Sequence, residues 1–484
     1  MASADKRGSR APRTLTRRGF LQAAVGTTGL LLLSACGGAT QAPAPKPTEA
    51  PKPAAPVAPT SPPKPAEAAK PAAPAATTAP AAKAPVSLKG VSLSVLQWSS
   101  FIKDADPFFQ KQIEDGFMKD TGATVTIEFI DANQIQPKTA AAIQSGSGPD
   151  VIGFRDNWTY LYKDGVVDVS DVAEELKKQW GDFFPAIEAY SKVDGKYLTM
   201  PHDFGGGVIH WRKSWFKEVG SEAFPKTYEE YHDVGKKLKA KGRPFGQALG
   251  HSFGDPPGWC YSMLWAYGGR EVDEQGKVAI NSPETIAAVK AMQTAWKDAY
   301  DETGLSWDDT SNNRAFLAET ISSTLNGASI WWAAKNDKQP FFDDIGLNLH
   351  PAGPKGIALL PGFDSYSVMK YSKNIDAAKE FLRWSMKPEV WGPWFQLQQS
   401  YVGGITQKFD DGMGWDKFPP IVQVFREIGK NARTVGWPGP PNQKASLAWS
   451  KYIIVDMFAK GAQGDPPESA AKWAEGELKQ VYEM

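Results

Sequence analysis

What this 484-residue chain lacks bounds it before anything it contains. It has only two cysteines, Cys36 and Cys260, so no cysteine pair with zinc-binding spacing exists. Its five histidines, at 202, 210, 232, 251 and 350, include no two-histidine helical motif, so no metal is expected. Gly146-Ser147-Gly148 lacks the third glycine and the lysine of a phosphate-cradling loop, and no cofactor is expected. No run is long and apolar enough to span a membrane, which takes roughly 20 residues. Net charge is absent too, with 54 basic against 54 acidic side chains. That balance hides an asymmetry. Residues 1–40 hold six of the basic and one of the acidic groups, and residues 41–85 hold five and two. The remainder keeps 43 against 51, a net charge near −8. Nucleic-acid binding needs the opposite sign.

The first 40 residues carry LTRRGFLQAAVGTTGLLLLSACGG. Arg17-Arg18 ahead of an uncharged run from Phe20 to Ala35 has the twin-arginine pattern of a bacterial export signal. The run ends in Leu33-Ser34-Ala35-Cys36, which resembles a lipoprotein processing box whose cysteine is acylated after cleavage. Residues 1–36 are therefore expected to be a signal peptide ending at a lipidated Cys36. Residues 37–87 are mostly proline and alanine, too poor in large apolar side chains to fold, and are expected to be a disordered, semi-stiff linker. Lipid and linker imply a body tethered to the outer face of the cytoplasmic membrane.

The body alternates strand and helix. Val91, Leu93 and Val95 share one side of a strand that ends at Trp98. Phe109, Ile113 and Phe117 recur every four residues in a helix that Gly122 closes. Strands follow over TVTIEFID and over Asp150–Phe154, with a helix through Lys138 to Gln144 between them. Strand–helix–strand with short links is a doubly wound parallel sheet, and its ligands sit beyond the carboxyl ends of the strands. Trp98-Ser99 and Arg155-Asp156-Asn157-Trp158 follow two such ends. Further on, Thr227 with Glu230 three residues later is a capping box.

The segments AAIQSGSGPDVIGF, DGKYLTMPHDFGGGVIHWRKSWF with its following FPKTYEEYHDVGKKLKAKG, FLAETISSTLNGASIWW and SYSVMKYSKNIDAAKEFLRWSMKPE stand in an order that is recognisable. Together they resemble the extracellular solute-binding proteins (family 1) that feed ABC importers, in particular the group containing the maltose-binding protein. One departure stands out: the Tyr-Asn pair common after the family's hinge strand is Trp211-Arg212 here. The resemblance implies a two-lobed, periplasmic-binding-protein-like (type II) α/β fold, each lobe a doubly wound, mainly parallel sheet flanked by helices. It implies an N-terminal lobe of 88–204 plus 367–408 and a C-terminal lobe of 205–366 plus 409–484. Crossings near His202–Gly206 and Pro361–Ser365 would form the hinge. It further implies a monomer, not an enzyme, that closes on a small solute and presents the closed form to the permease of an ABC transporter.

All 18 tryptophans lie in the body. Indole faces suit the apolar C–H faces of a sugar, while carboxylates suit its hydroxyls. The expected ligand residues are Trp98, Asp156, Asp203, Trp211, Trp259, Trp331 and Asp364. Trp265, Trp296, Trp384 and Trp449 sit among apolar neighbours at helical spacing and are expected in the core. A carbohydrate is the expected solute. The same residue types also make a cage for a polyamine or betaine cation. Gly250-His251-Ser252-Phe253-Gly254 matches the nucleophile elbow of exported serine hydrolases. That elbow enters a helix directly, whereas Asp255-Pro256-Pro257 is expected to delay the helix here until about Trp259.

Overall fold

The alternation that opens the body folds as a strand, β1 (Ser92–Trp98), with Leu93, Val95, Leu96 and Trp98 buried. The computed structural model describes residues 87–483, all within one unit running from Ala81 to Met484. The signal peptide, Cys36 and the linker to residue 86 lie outside the described residues. After β1 come β2 (Thr124–Ile130), β3 (Val151–Arg155) and a small hairpin of β4 (Lys192–Val193) and β5 (Lys196–Tyr197). They are followed by β6 (Met200–Gly205), β7 (Val208–Arg212), β8 (Ser323–Asn326), β9 (Ile345–Asn348), β10 (Gly362–Val368) and β11 (Val402–Gly403).

Two larger sheets result. One has the order β11-β6-β10-β3-β1-β2, the other β8-β7-β9. β1 pairs in parallel with β2 and β3, as the intervening helices require. The other pairs of named strands are antiparallel. The reason is the chain path. β6 leaves the larger sheet for β7 and β10 comes back to it, so the two run in opposite directions as neighbours. β10 belongs wholly to the larger sheet from Gly362 onward, so the expected boundary at 366 falls inside a strand. Beside β8, Gly246 N donates to Ser323 O at 2.9 Å, and Phe245 bridges to Tyr300 in parallel, so irregular chain extends the smaller sheet.

The helix through Phe109, Ile113 and Phe117 buries all three. A strict four-residue spacing drifts around an α-helix, and here the turns widen to a π-helix over Ile113–Met118, which keeps the apolar face in line. Gly122 ends it at φ 77°. The capping box forms at Thr227 and starts helix Tyr228–Lys239, whose Tyr231, Val234 and Leu238 are buried. Tyr231 stacks on Phe245 at 4.3 Å in the core behind the smaller sheet. Cys260, on helix Asp255–Tyr267, is fully buried and unbonded. Between β6 and β7, glycine is required by close approach. A Cβ on Gly205 would lie 2.9 Å from the Tyr401 carbonyl, and one on Gly207 would lie 2.6 Å from Leu325 Cδ1.

Candidate functional site

Three strands of the larger sheet set a row of charge across the point where the chain crosses between sheets. In the strand register Asp203 on β6 faces Asp364 on β10, and Asp364 faces Arg155 on β3. Arg155 Nη1 lies 3.0 Å from Asp364 Oδ1. Asp156, directly after β3, takes a left-handed φ of 44°. That turn lets its amide donate to Phe363 O at 2.8 Å while its Oδ1 accepts from Phe363 N at 3.2 Å. His202 Nδ1 sits 2.8 Å from Asp203 Oδ2. Burial pushes the imidazole down to about 4, so it is neutral and shares one hydrogen bond with the Asp203 carboxyl. Burial also raises Asp156, Asp203 and Asp364 to about 7 each, against the opposing pull of Arg155. One guanidinium thus serves three buried carboxylates.

Two chambers meet at this row. The outer one, of about 340 Å³, is lined by Trp98, Phe101, Asp131 and Asn133 on one side and by Asp255, Asp309 and Asn326 on the other. The deep one, of about 100 Å³, reaches Asp156, Asp203, Asp364 and His350. Arg155, Phe253, Asp255, Gly327 and Tyr401 line both. The Arg155 guanidinium lies 4.6 Å over the Trp98 ring and 4.5 Å over the Phe253 ring, a cation held between two π faces. Trp98, Phe101 and Tyr401 form an aromatic trio with centroids 5.7 to 6.2 Å apart. Phe101, 41% exposed, is the one large apolar side chain left open to solvent among the described residues.

The wall facing this trio is polar and locked. Asp309 accepts from the backbone N of Gly254 and Asp255 at 2.9 and 2.8 Å. Asp255 Oδ2 accepts from Asn312 Nδ2 at 2.6 Å and from Asn326 Nδ2 at 3.3 Å. Burial first, and then the neighbouring Asp309, hold Asp255 well above the ordinary carboxylate range. These groups can accept hydrogen bonds from hydroxyls or ammonium groups, while the trio offers flat apolar faces.

The structure gathers four of the expected residues, Trp98, Asp156, Asp203 and Asp364, around these chambers. It does not bring in the other three. Trp211 packs on Phe216 and Phe224 behind the smaller sheet, with its Nε1 donating to Asn348 Oδ1 at 2.8 Å. Trp259 is enclosed by Tyr228, Tyr300 and His350. Trp331 packs against Trp332 and Phe342, and Trp332 Nε1 donates to Gln399 O. Trp449, expected in the core, is buried there and also lines the deep chamber, packing on Phe253 at 5.1 Å.

The helix after Ser252 begins at Asp255 rather than near Trp259, because Pro256 and Pro257 fall in a first turn that needs no amide donors there. Even so, Ser252 is no elbow nucleophile. Its buried Oγ accepts from Asp309 N at 3.0 Å, and His251 is turned away, with Nε2 2.6 Å from Asp456 Oδ1 and its ring stacked on Tyr452.

Arg155, Phe101, Asp255, Asn326 and Tyr401 were not among the expected residues. Arg155 was readable from its place at the end of β3. Tyr401 was not, because consecutive left-handed residues at Gln399 and Ser400 (φ 57° and 67°) deliver it, and nothing in the local pattern announces that turn.

A two-lobed α/β body with a charged, aromatic-lined cleft beside its crossing strands is the build of a solute receptor, not of an enzyme. The profile of the bacterial extracellular solute-binding proteins matches residues 112–419, and the chain belongs to that family. It is 27% identical over 392 residues to a probable ABC transporter-binding protein of Deinococcus radiodurans, covering 77% of this chain and 90% of that one. It is 22% identical over 277 residues to the sn-glycerol-3-phosphate-binding periplasmic protein of Escherichia coli, covering 53% of this chain and 61% of the relative. Among solved structures, maltose-bound T. maritima MalE3 matches with a TM-score of 0.69 at 19% identity, over 81% of this chain and all of the other. The acarbose-binding GacH receptor of Streptomyces glaucescens matches with a TM-score of 0.68 at 17% identity, over 81% of this chain and 98% of that one.

Proposed function

We propose that the chain is exported, anchored by lipid at Cys36, and captures a carbohydrate in the outer chamber for delivery to the permease of an ABC importer. The observation that carries this reading is the aromatic trio of Trp98, Phe101 and Tyr401 facing Asp255, Asp309 and Asn326 across about 340 Å³. Small-ligand sites span roughly 300–1,000 Å³ and combine apolar walls with a few placed polar groups, and this chamber fits that description. The carbohydrates bound by structural neighbours, maltose and acarbose, support the same reading. Lobes of about 88–204 with 362–408, and 205–361 with 409–484, would close on the solute. Contacts on both sides favour the closed state, and that differential affinity shifts the population.

A second reading has its own observation. Carboxylates in the chambers outnumber cations, with Arg155 the single cationic side chain against Asp131, Asp156, Asp203, Asp255, Asp308, Asp309 and Asp364. An organic cation such as a polyamine or betaine would suit that excess. Titration of tryptophan fluorescence and melting temperature against neutral sugars, polyols, polyamines and betaines separates the two. A saturable response to sugars is expected. A response to alkyl cations alone would replace the carbohydrate by a cation, and silence across the panel would sink both. Anchoring is tested by mass spectrometry of the mature N-terminus, where an acylated Cys36 is expected and Cys36→Ser releases the chain from membranes.

A further inference from the structure

The two readings need not compete. We propose that the solute is an amino sugar, carrying at least one free ammonium group, whose ring lies in the outer chamber and whose ammonium is received by Asp255 at the wall shared with the deep chamber. This rests on the carbohydrate reading and narrows it.

Charge in the deep chamber is the first argument. Asp156, Asp203, Asp255 and Asp364 line it, and Arg155 is the one cation among them. Arg155 is committed to Asp364, and its guanidinium faces are occupied by Trp98 and Phe253. His202, beside Asp203, is neutral. Burial keeps these carboxyls protonated up to about pH 7 or above, and a ligand ammonium placed among them would let one ionise, which a neutral sugar cannot do.

Unused bonding capacity is the second. Asp156 is buried, and its Oδ1 is taken by the Phe363 amide, but its other oxygen meets no donor among the described residues. Asp255 places Oδ2 on two asparagine side chains, and its Oδ1 likewise has no donor among the described residues. Both residues line the deep chamber. About 100 Å³ is too small for a sugar ring beside these side chains, but it holds an ammonium group and its first carbon.

The outer chamber supplies the third, because it is built for more than a bare alkyl cation. Asn133, Asn326 and Ser99 line it, already tied to Asp131, Asn313 and Asp106, so it presents a preset polar wall to a ligand's hydroxyls. The trio of Trp98, Phe101 and Tyr401 provides flat faces of the size of a pyranose ring. Ring, hydroxyls and one positive charge are the combination that uses every wall.

The test is calorimetric titration of the full chain, purified in detergent, at pH 6.5 and fixed ionic strength. The probes are glucosamine and its β-1,4 disaccharide, with glucose, cellobiose and the N-acetylated forms as neutral isosteres. Binding of the free amines about tenfold or more tighter than their neutral counterparts is expected, since a charge-assisted hydrogen bond replaces a neutral one. Asp255→Asn should bring the ratio of the two dissociation constants towards one. Neutral sugars binding as tightly as the amines would overturn the proposal and leave the carbohydrate reading intact. Binding of spermidine or choline without any sugar would overturn both. An Asp255→Asn protein that keeps the full amine preference would remove Asp255 from its assigned role, and if that variant does not fold, the wild-type amine-to-neutral ratio decides alone.

Discussion

Asp203, Asp364 and Arg155 share one row across three strands, and that row governs how the protein should respond to pH. The three raised carboxylates, Asp156, Asp203 and Asp364, titrate near 7 when folded but near 4 in an unfolded chain. Between those values the folded chain holds more protons, so their stabilising contribution is full below about pH 4 and is lost as pH rises through about 7. The buried His202, pushed down to about 4, and His210, His232 and His350, pushed down to about 3, act oppositely. Their contribution is full above about pH 6.5 and lost as pH falls. The two groups offset each other in acid, so the melting temperature is expected to fall between pH 6.5 and 8. Asp203→Asn should gain on the wild type steadily from pH 5.5 to 8, and melting curves that keep a constant gap would count against the row. Arg155→Ala removes the only counter-charge and should cost about 3–5 kcal/mol in denaturant unfolding at pH 8, with a smaller loss at pH 5. Arg155→Lys should recover part of it.

At the scale of elements, what could be read from the sequence was what local patterns encode. The β1 alternation, the Phe109–Ile113–Phe117 face and the Thr227 capping box all act between residues a few places apart, and each forms. Strand direction was not readable in the same way. β10 lies antiparallel to β6 because of a path that leaves and returns over some 150 residues, and no short window holds that information. The tryptophans divide likewise. Trp98 was legible because the end of a parallel strand opens onto the outer chamber, whereas Trp211, Trp259 and Trp331 answer to cores assembled from distant segments. The cap offers a clean check. Thr227→Ala removes the hydrogen bond that Glu230 N donates to Thr227 Oγ1 and should cost about 1 kcal/mol in stability, with solute affinity unchanged, because the helix it starts lies away from both chambers. A loss of affinity in that variant would mean that this helix transmits to the cleft.

On the scale of the whole molecule, a few contacts tie the two sides of the cleft. Trp332 donates to Gln399 O, Ser446 Oγ donates to Asn157 O at 2.9 Å, and the Tyr401 ring lies where a Cβ on Gly327 would meet it at 2.7 Å. Gly327→Val should therefore hold the halves apart. A larger radius of gyration by small-angle scattering and at least a tenfold weaker solute response are expected, and an unchanged radius would show that Tyr401 yields instead. Cys260 bears on the whole molecule in a different way. The body's single thiol is sealed inside a helix and no disulfide depends on it, so the fold owes nothing to an oxidising compartment and can be completed in a reducing cytoplasm before export. The same fact makes the body chemically silent towards maleimides. One cysteine placed at an exposed position on the rim, outside the aromatic trio, would take a fluorophore without competition from within, and the receptor could then be made to signal its own cargo by light.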